Sequence, residues 1–123
     1  MYEFYFEKLE VWKNARSFVK DIYLTTESFP NSEKFGLTSQ IRRATVSITT
    51  NIAEGFSRKT KTEKARFINI AYSSAWEVIN LLILSSDLEF IKEDKYLDLR
   101  KKAEHITNQL NALYKTLKAD QTS

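Results

Sequence analysis

The chain has 123 residues, of which 42% are hydrophobic and 28% charged, a mix that folds and excludes a disordered polymer. Two glycines and one proline are too few for the turns of a β-sandwich, and the lack of cysteine excludes disulfides, thiolate metal sites and a cysteine nucleophile. The net charge of +3 is unevenly spread: residues 1–33 carry −2, residues 34–66 carry +6 and residues 67–123 carry −1.

In chain order, the first predicted helix covers about residues 6–26. Leu9, Trp12, Ala15 or Arg16, Val19, Ile22 and Tyr23 recur at three- and four-residue steps, and they mark its core face. It stops before Phe29-Pro30-Asn31-Ser32, with a short turn expected at Ser32–Phe35.

The second helix covers about residues 37–56, with Leu37, Ile41, Ala44, Ile48 and Ile52 in one stripe. Its β-branched run Thr45–Thr50 is poor helix material, and a strand is the competing reading there. The unbroken four-three-four spacing and the lack of a partner strand decide for helix. Beside the stripe lie Gln40, Ser47, Asn51 and Gly55, which suit a close approach by a neighbouring helix. Asn51 then needs a hydrogen-bond partner.

Thr60-Lys61-Thr62-Glu63 fits a capping box that opens a third helix over about 61–87. Ala65, Ile68, Tyr72, Ala75, Ile79 and Leu82 form its stripe, and its second half, WEVINLLIL, is apolar nearly all round. Such a segment needs company on more than one side, the first sign of a homo-oligomer.

The fourth helix covers about 93–117 and repeats Tyr96, Leu99, Ala103, Ile106, Leu110, Leu113 and Leu117 at seam spacing. The tail from Ala119 to Ser123 is expected to fray. The whole, 1–123, reads as a single all-α domain, an antiparallel up-down-up-down four-helix bundle.

The N-terminus, MYEFYFEKLEVW, lacks the basic segment and apolar run of a signal peptide. The longest nearly apolar run, Val78–Leu84, falls far short of the roughly 20 residues of a membrane span. A cytoplasmic protein with no membrane partner is the expectation.

Chemistry is sparse. One histidine cannot supply a di-iron bundle, and no phosphate loop or nucleophile elbow is present, so no metal and no cofactor are expected. Arg100 and His105 fit the loose Arg-x(4–6)-His pattern of HEPN ribonucleases, although five helical steps set them about 140° apart. Glu54 and Glu77 lack the paired acid that acid–base catalysis requires. A structural role is expected instead, half-buried against Arg42, Arg43 or a helix end.

The best functional candidate is the basic set Arg42, Arg43, Arg58, Lys59, Lys61, Lys64 and Arg66, clustered at the second helix and the turn that follows it. Such a surface binds phosphates with salt-sensitive affinity and without sequence choice. Phe56 and Phe67 flank the turn, either to stack on unpaired bases or to close the end of the core.

Four stretches carry a family resemblance: FEKLEVW at the start, FP before the second helix, LTSQIRRATVSITTNIAEGFSR within it, and RFINIAYSSAWEV in the third. The chain resembles the four-helix bundle proteins of the 23S rRNA intervening-sequence (S23-type) family. These are related to the accessory protein of diversity-generating retroelements, a pentameric barrel that binds nucleic acid and a reverse transcriptase. The resemblance implies a non-enzymatic homopentamer whose partner is nucleic acid, RNA before DNA. A scaffold for a protein partner is the alternative, ahead of the HEPN-like ribonuclease. Two departures stand out: Thr49 sits where the family has proline, and Ser73-Ser74 where it has Gly-Ser. The first implies a straighter second helix and the second a bulkier close contact.

Overall fold

A computed structural model describes residues 1–122, with side chains through residue 119. The described residues form four α-helices, α1 (Glu10–Thr26), α2 (Leu37–Ser57), α3 (Lys61–Asp87) and α4 (Glu93–Thr122), and contain no strand. Short 3-10 turns at Tyr5–Lys8 and Asn31–Glu33 precede α1 and α2. Each helix packs on its neighbours in sequence and α1 closes the ring against α4, which makes an antiparallel up-down-up-down bundle. The α2–α3 and α3–α4 contacts are the most extensive, and α1–α4 is the slightest side of the ring.

The first helix begins later than its periodicity suggests. Leu9 is extended (φ −72°, ψ 128°) and ends the 3-10 turn, so α1 starts at Glu10. The buried stripe is accordingly Val11, Ala15, Phe18 and Ile22, while Leu9, Trp12 and Val19 are half-buried and Tyr23 is exposed. The turn expected at Ser32–Phe35 falls at Asn31–Glu33, and there Glu33 does the capping of α2. Its Oε1 accepts from the Leu37 amide at 3.0 Å, close enough that a Cβ on Gly36 would stand 2.6 Å from it.

In α2 every expected stripe residue, Leu37, Ile41, Ala44, Ile48 and Ile52, is buried. The β-branched run stays helical because its stripe is buried against the core, and its hydroxyls are satisfied within the helix. Thr45 Oγ1, fully buried, donates to the Ile41 carbonyl at 2.6 Å, and Thr49 Oγ1 to the Val46 carbonyl at 2.7 Å. The helix runs unbroken through Thr49. In α3 the buried line holds Ala65, Ile68, Ala71, Ala75, Val78 and Leu82, with Tyr72 and Ile79 half-buried beside it. In α4, Leu99, Ala103, Ile106, Leu110 and Leu117 are buried as the seam predicts. The helix continues to Thr122, and Ser123, the last residue of the tail expected to fray, lies outside the described residues.

The α2–α3 contact is close because small and polar side chains meet there. Ser47 Oγ and Ser74 Oγ are 2.9 Å apart, and Asn51 Nδ2 donates to the Ser47 carbonyl at 2.8 Å and to Ser47 Oγ at 3.0 Å. The serine at 74 thus bridges the helices through a hydroxyl, and Ser73 points to solvent. At Gly55 an added Cβ would stand 3.0 Å from Phe67 Cβ and 3.4 Å from the Lys64 carbonyl oxygen.

Candidate nucleic-acid interface

The close approach at Gly55 fixes how the chain reverses between α2 and α3, and the reversal is where cations gather. Ser57 Oγ donates to the Glu54 carbonyl at 2.6 Å, and the Arg58 amide donates to the Gly55 carbonyl at 3.1 Å, which closes α2. Thr60 Oγ1 accepts from the Glu63 amide at 3.1 Å and opens α3. The Lys64 ammonium donates back across the turn to the Arg58 carbonyl, tying start to finish. Glu63 sits in the first turn of α3, where a carboxylate complements the helix dipole.

On this frame Arg58, Lys59, Lys61 and Arg66 are exposed and Lys64 is half-buried. The Arg58 guanidinium lies 4.6 Å from the Phe67 ring centroid. Phe67 is therefore covered by Arg58 and pressed toward Gly55, and it closes the core end rather than presenting a stacking face. Arg58, Lys59 and Arg66 have no carboxylate partner among the described residues. Five of the seven basic candidates thus belong to one end of the bundle.

The other two do not. On a rise of 1.5 Å per residue, Arg42 stands about 24 Å along α2 from Arg58, at the opposite end. Its guanidinium is engaged in tying α2 to α1: Nε donates to Thr26 Oγ1 at 2.8 Å, Nη2 to the Tyr23 carbonyl at 3.3 Å, and the group lies 4.5 Å from the Tyr23 ring. Arg43 is exposed on the outer α2–α3 groove with Gln40, Ser47, Ser74 and Glu77. Glu54 and Glu77 are exposed, not half-buried as expected, and neither pairs with a cation among the described residues. Each lies off the buried stripe of its helix, and Glu77 lines the outer α2–α3 groove.

The structure adds aromatic residues that periodicity passed over. The N-terminal turn folds back onto the basic end and sets the Tyr5 ring 5.4 Å from that of Phe56. Tyr5 is 62% exposed, and Phe4 and Tyr2 before it are also exposed. The aromatic density of YEFYF was the available signal, but an extended N-terminus shows no period to read.

Arg100 and His105 serve different surfaces of α4. Arg100 Nη1 donates to the Tyr96 hydroxyl at 2.7 Å and Nε lies 3.4 Å from Glu104. That hydroxyl, and Glu104 after it, hold the guanidinium pKa above its ordinary value. His105 instead lines the α1–α4 groove with Asp21 and Asp98. Among the described residues no three acidic or histidine side chains come together as a metal site would require.

These features define a four-helix bundle protein with a cationic reversal and an aromatic turn at one end. The chain belongs to the 23S rRNA-intervening sequence protein family, whose family model matches residues 7–112. A crystal structure of a protein of unknown function from the S23 ribosomal protein family of Bacteroides thetaiotaomicron has the same fold. Its TM-score is 0.78 at 24% identity, over 85% of this chain and 95% of that one. No curated protein matches the sequence.

Proposed function

We propose that this protein is a non-enzymatic, homo-oligomeric, cytoplasmic bundle that binds structured nucleic acid, RNA before DNA, through the basic end. The observation that carries the reading is the exposed set Arg58, Lys59 and Arg66 with no carboxylate partner, beside Lys61 and Lys64. Cations left unneutralised by the fold remain available to phosphates, and each contact releases counterions. Arg42 is committed to the α1–α2 contact and Arg43 stands apart, so the interface is the α2–α3 reversal rather than the whole basic segment. The separate surroundings of Arg100 and His105 weigh against a ribonuclease.

Self-association is supported by α3. An 18-residue window of this helix has mean hydropathy 1.4, yet only 33% of it is buried within the monomer. Trp76, Leu84 and Ile70 are exposed on it at 60%, 42% and 39%. The helix is long and apolar enough to pass for a membrane span. Its outer side, however, also carries Arg66, Ser73, Glu77 and Asn80, polar groups that hydrocarbon would leave unsatisfied. Other protein surface, further copies of this chain, suits that mixture better. The family resemblance suggests five copies, and a ring would add the basic ends into one field. A protein partner on the same α3 face is the second reading. Mass in solution, measured alongside RNA and DNA binding across a salt series, tests both. An intact oligomer whose binding weakens steeply with salt supports the proposal, and an oligomer that binds neither nucleic acid leaves the scaffold.

A further inference from the structure

The two ends of the bundle carry charge of opposite sign. Residues 1–8, 54–66 and 113–119 make up the basic end and hold eight lysines and arginines against four acids. Residues 24–40 and 86–96 make up the other end and hold six acids against three lysines. Just as Arg58, Lys59 and Arg66 lack a carboxylate partner, Glu27, Asp87, Glu89 and Glu93 are exposed and lack a cation partner among the described residues. Glu27 follows the last turn of α1 and Asp87 ends α3, positions where a carboxylate opposes the helix dipole. The isolated bundle therefore draws no stability from those two charges.

The ends also differ in relief. At the basic end the N-terminal arm stands out, with Tyr2 and Phe4 75% and 57% exposed. Its rings are braced on one another: Tyr2 lies 5.0 Å from Phe4, Phe4 6.1 Å from Phe6, and Phe6 5.0 Å from Trp12 of α1. Glu7 Oε2 accepts from the Phe4 amide at 2.8 Å and holds the arm to its turn. At the acidic end a cleft of about 730 Å³ opens between the last turn of α1 and the α3–α4 connection, with Leu24, Phe90 and Ile91 as its apolar walls. Its charged walls balance, Glu89 and Asp94 against Lys92 and Lys95, so the acidity of this end comes from Glu27, Asp87 and Glu93 outside them.

We propose that copies of this chain join end to end, with Tyr2 and Phe4 of one seated in the Leu24–Phe90–Ile91 cleft of the next. The unpaired cations of the first end then meet the unpaired acids of the second. One chain carries both halves of the contact, matched in charge and in relief, which is why the occupant is a second copy. The contact uses neither the α3 face nor a nucleic acid, and it stands apart from both readings above. Because its two surfaces differ, each joined pair keeps a free arm at one end and a free cleft at the other, and growth continues unless the chain of copies closes. The two rings bury on the order of 250 Å². Stable interfaces bury at least about 1,200 Å², so this contact is weak, reversible and sensitive to salt.

The test follows mass in solution against protein concentration for the full chain, for Tyr2→Ser/Phe4→Ser and for Leu24→Lys/Glu89→Lys. All four positions are exposed, so both variants should keep the helical spectrum and unfolding midpoint of the unmodified chain. The mass of the full chain should rise with concentration at low salt, and far less at about 0.5 M salt. Each variant alone should need roughly ten-fold more protein to reach the same mass. An equimolar mixture should associate further than either variant alone, since the arm variant keeps its cleft and the cleft variant keeps its arm. A mixture that stays at the mass of its parts overturns the pairing of arm with cleft. A mass that neither variant changes, including one that levels off at a closed oligomer, overturns the end-to-end contact. If the arm variant keeps its mass but loses nucleic-acid binding, the arm belongs to that ligand and the contact between copies is overturned.

Discussion

Two stretches of this chain are rich in lysine and arginine, and the fold treats them in opposite ways. Along α4 the cations are interleaved with acids at helical spacing. Asp98 lies 3.7 Å from Lys95 and 3.3 Å from Lys102, Lys102 reaches across to Asp21 of α1 at 3.0 Å, and Glu104 sits 3.4 Å from Arg100. At the α2–α3 reversal Arg58, Lys59, Lys61, Lys64 and Arg66 have one acid among them, Glu63, and it lies in the first turn of α3. Acids three or four residues from a cation share its helix face and neutralise it. Arg58 and Lys59 lie in the turn, outside that spacing. The difference separates charge that serves the bundle from Arg58, Lys59 and Arg66, which have no carboxylate partner among the described residues.

The sharpest way to break that contrast is to remove three cations from each region in turn. Arg58→Ala/Lys59→Ala/Lys61→Ala should lower nucleic-acid affinity at low salt by about one to two orders of magnitude. It should also flatten the slope of log affinity against log salt by about 2–3. Its denaturation midpoint should fall only slightly, through loss of the Arg58 guanidinium over the Phe67 ring. If affinity held in that variant, the reversal would be no more than a solvated helix end.

Next in size is a change in the frame beneath the reversal. Gly55→Val places branched carbons against Phe67 Cβ and the Lys64 carbonyl, and the carbonyl belongs to a helix that cannot yield freely. A loss of about 1–3 kcal/mol in urea unfolding is expected. A loss of a few tenths would mean that α2 and α3 can part there at little cost.

Some of this was readable from the residues and some was not, for physical reasons. The α2 stripe could be read because it keeps one period from Leu37 to Ile52 and packs along its length. The α1 start was read one turn early, because Leu9 fits the apolar period while its backbone is extended, and the stripe was set about one residue off, on Trp12 and Val19 where Val11 and Phe18 are buried. The run from Arg58 to Arg66 was legible as a site because those residues adjoin in sequence. Arg42 was not, since Thr26 and Tyr23, which take up its guanidinium, lie on another helix. Tyr5 was invisible for the same reason: its place beside Phe56 depends on how the N-terminal turn folds back. Glu54 and Glu77 looked half-buried because apolar neighbours flank them, yet helical rotation carries both to solvent.

The smallest effects belong to α4. Lys95→Ala/Arg100→Ala/Lys102→Ala removes as many charges as the variant at the reversal, but should change nucleic-acid affinity only a few-fold, through net charge. Its cost should appear in stability, at about 1 kcal/mol or less, because exposed ion pairs are screened. Within that set Lys102 has a pH signature. Its hydrogen bond to Asp21 holds the ammonium pKa above the ordinary lysine value of 10.5. The charged form is therefore favoured in the folded state. The resulting stability is fully present below that ordinary value and is lost as pH rises through the raised one. With the side chain 46% exposed, the contribution should not exceed about 0.5 kcal/mol. The stability gap between the unmodified chain and Lys102→Met, measured by urea unfolding, should thus be constant near neutral pH and close in strong base. A gap that persisted there would locate the contribution of Lys102 in its methylene stem, packed across the α1–α4 side, and not in its charge. Closure of the gap would mean that the cation itself holds α1 to α4, which is why it is not available to a phosphate.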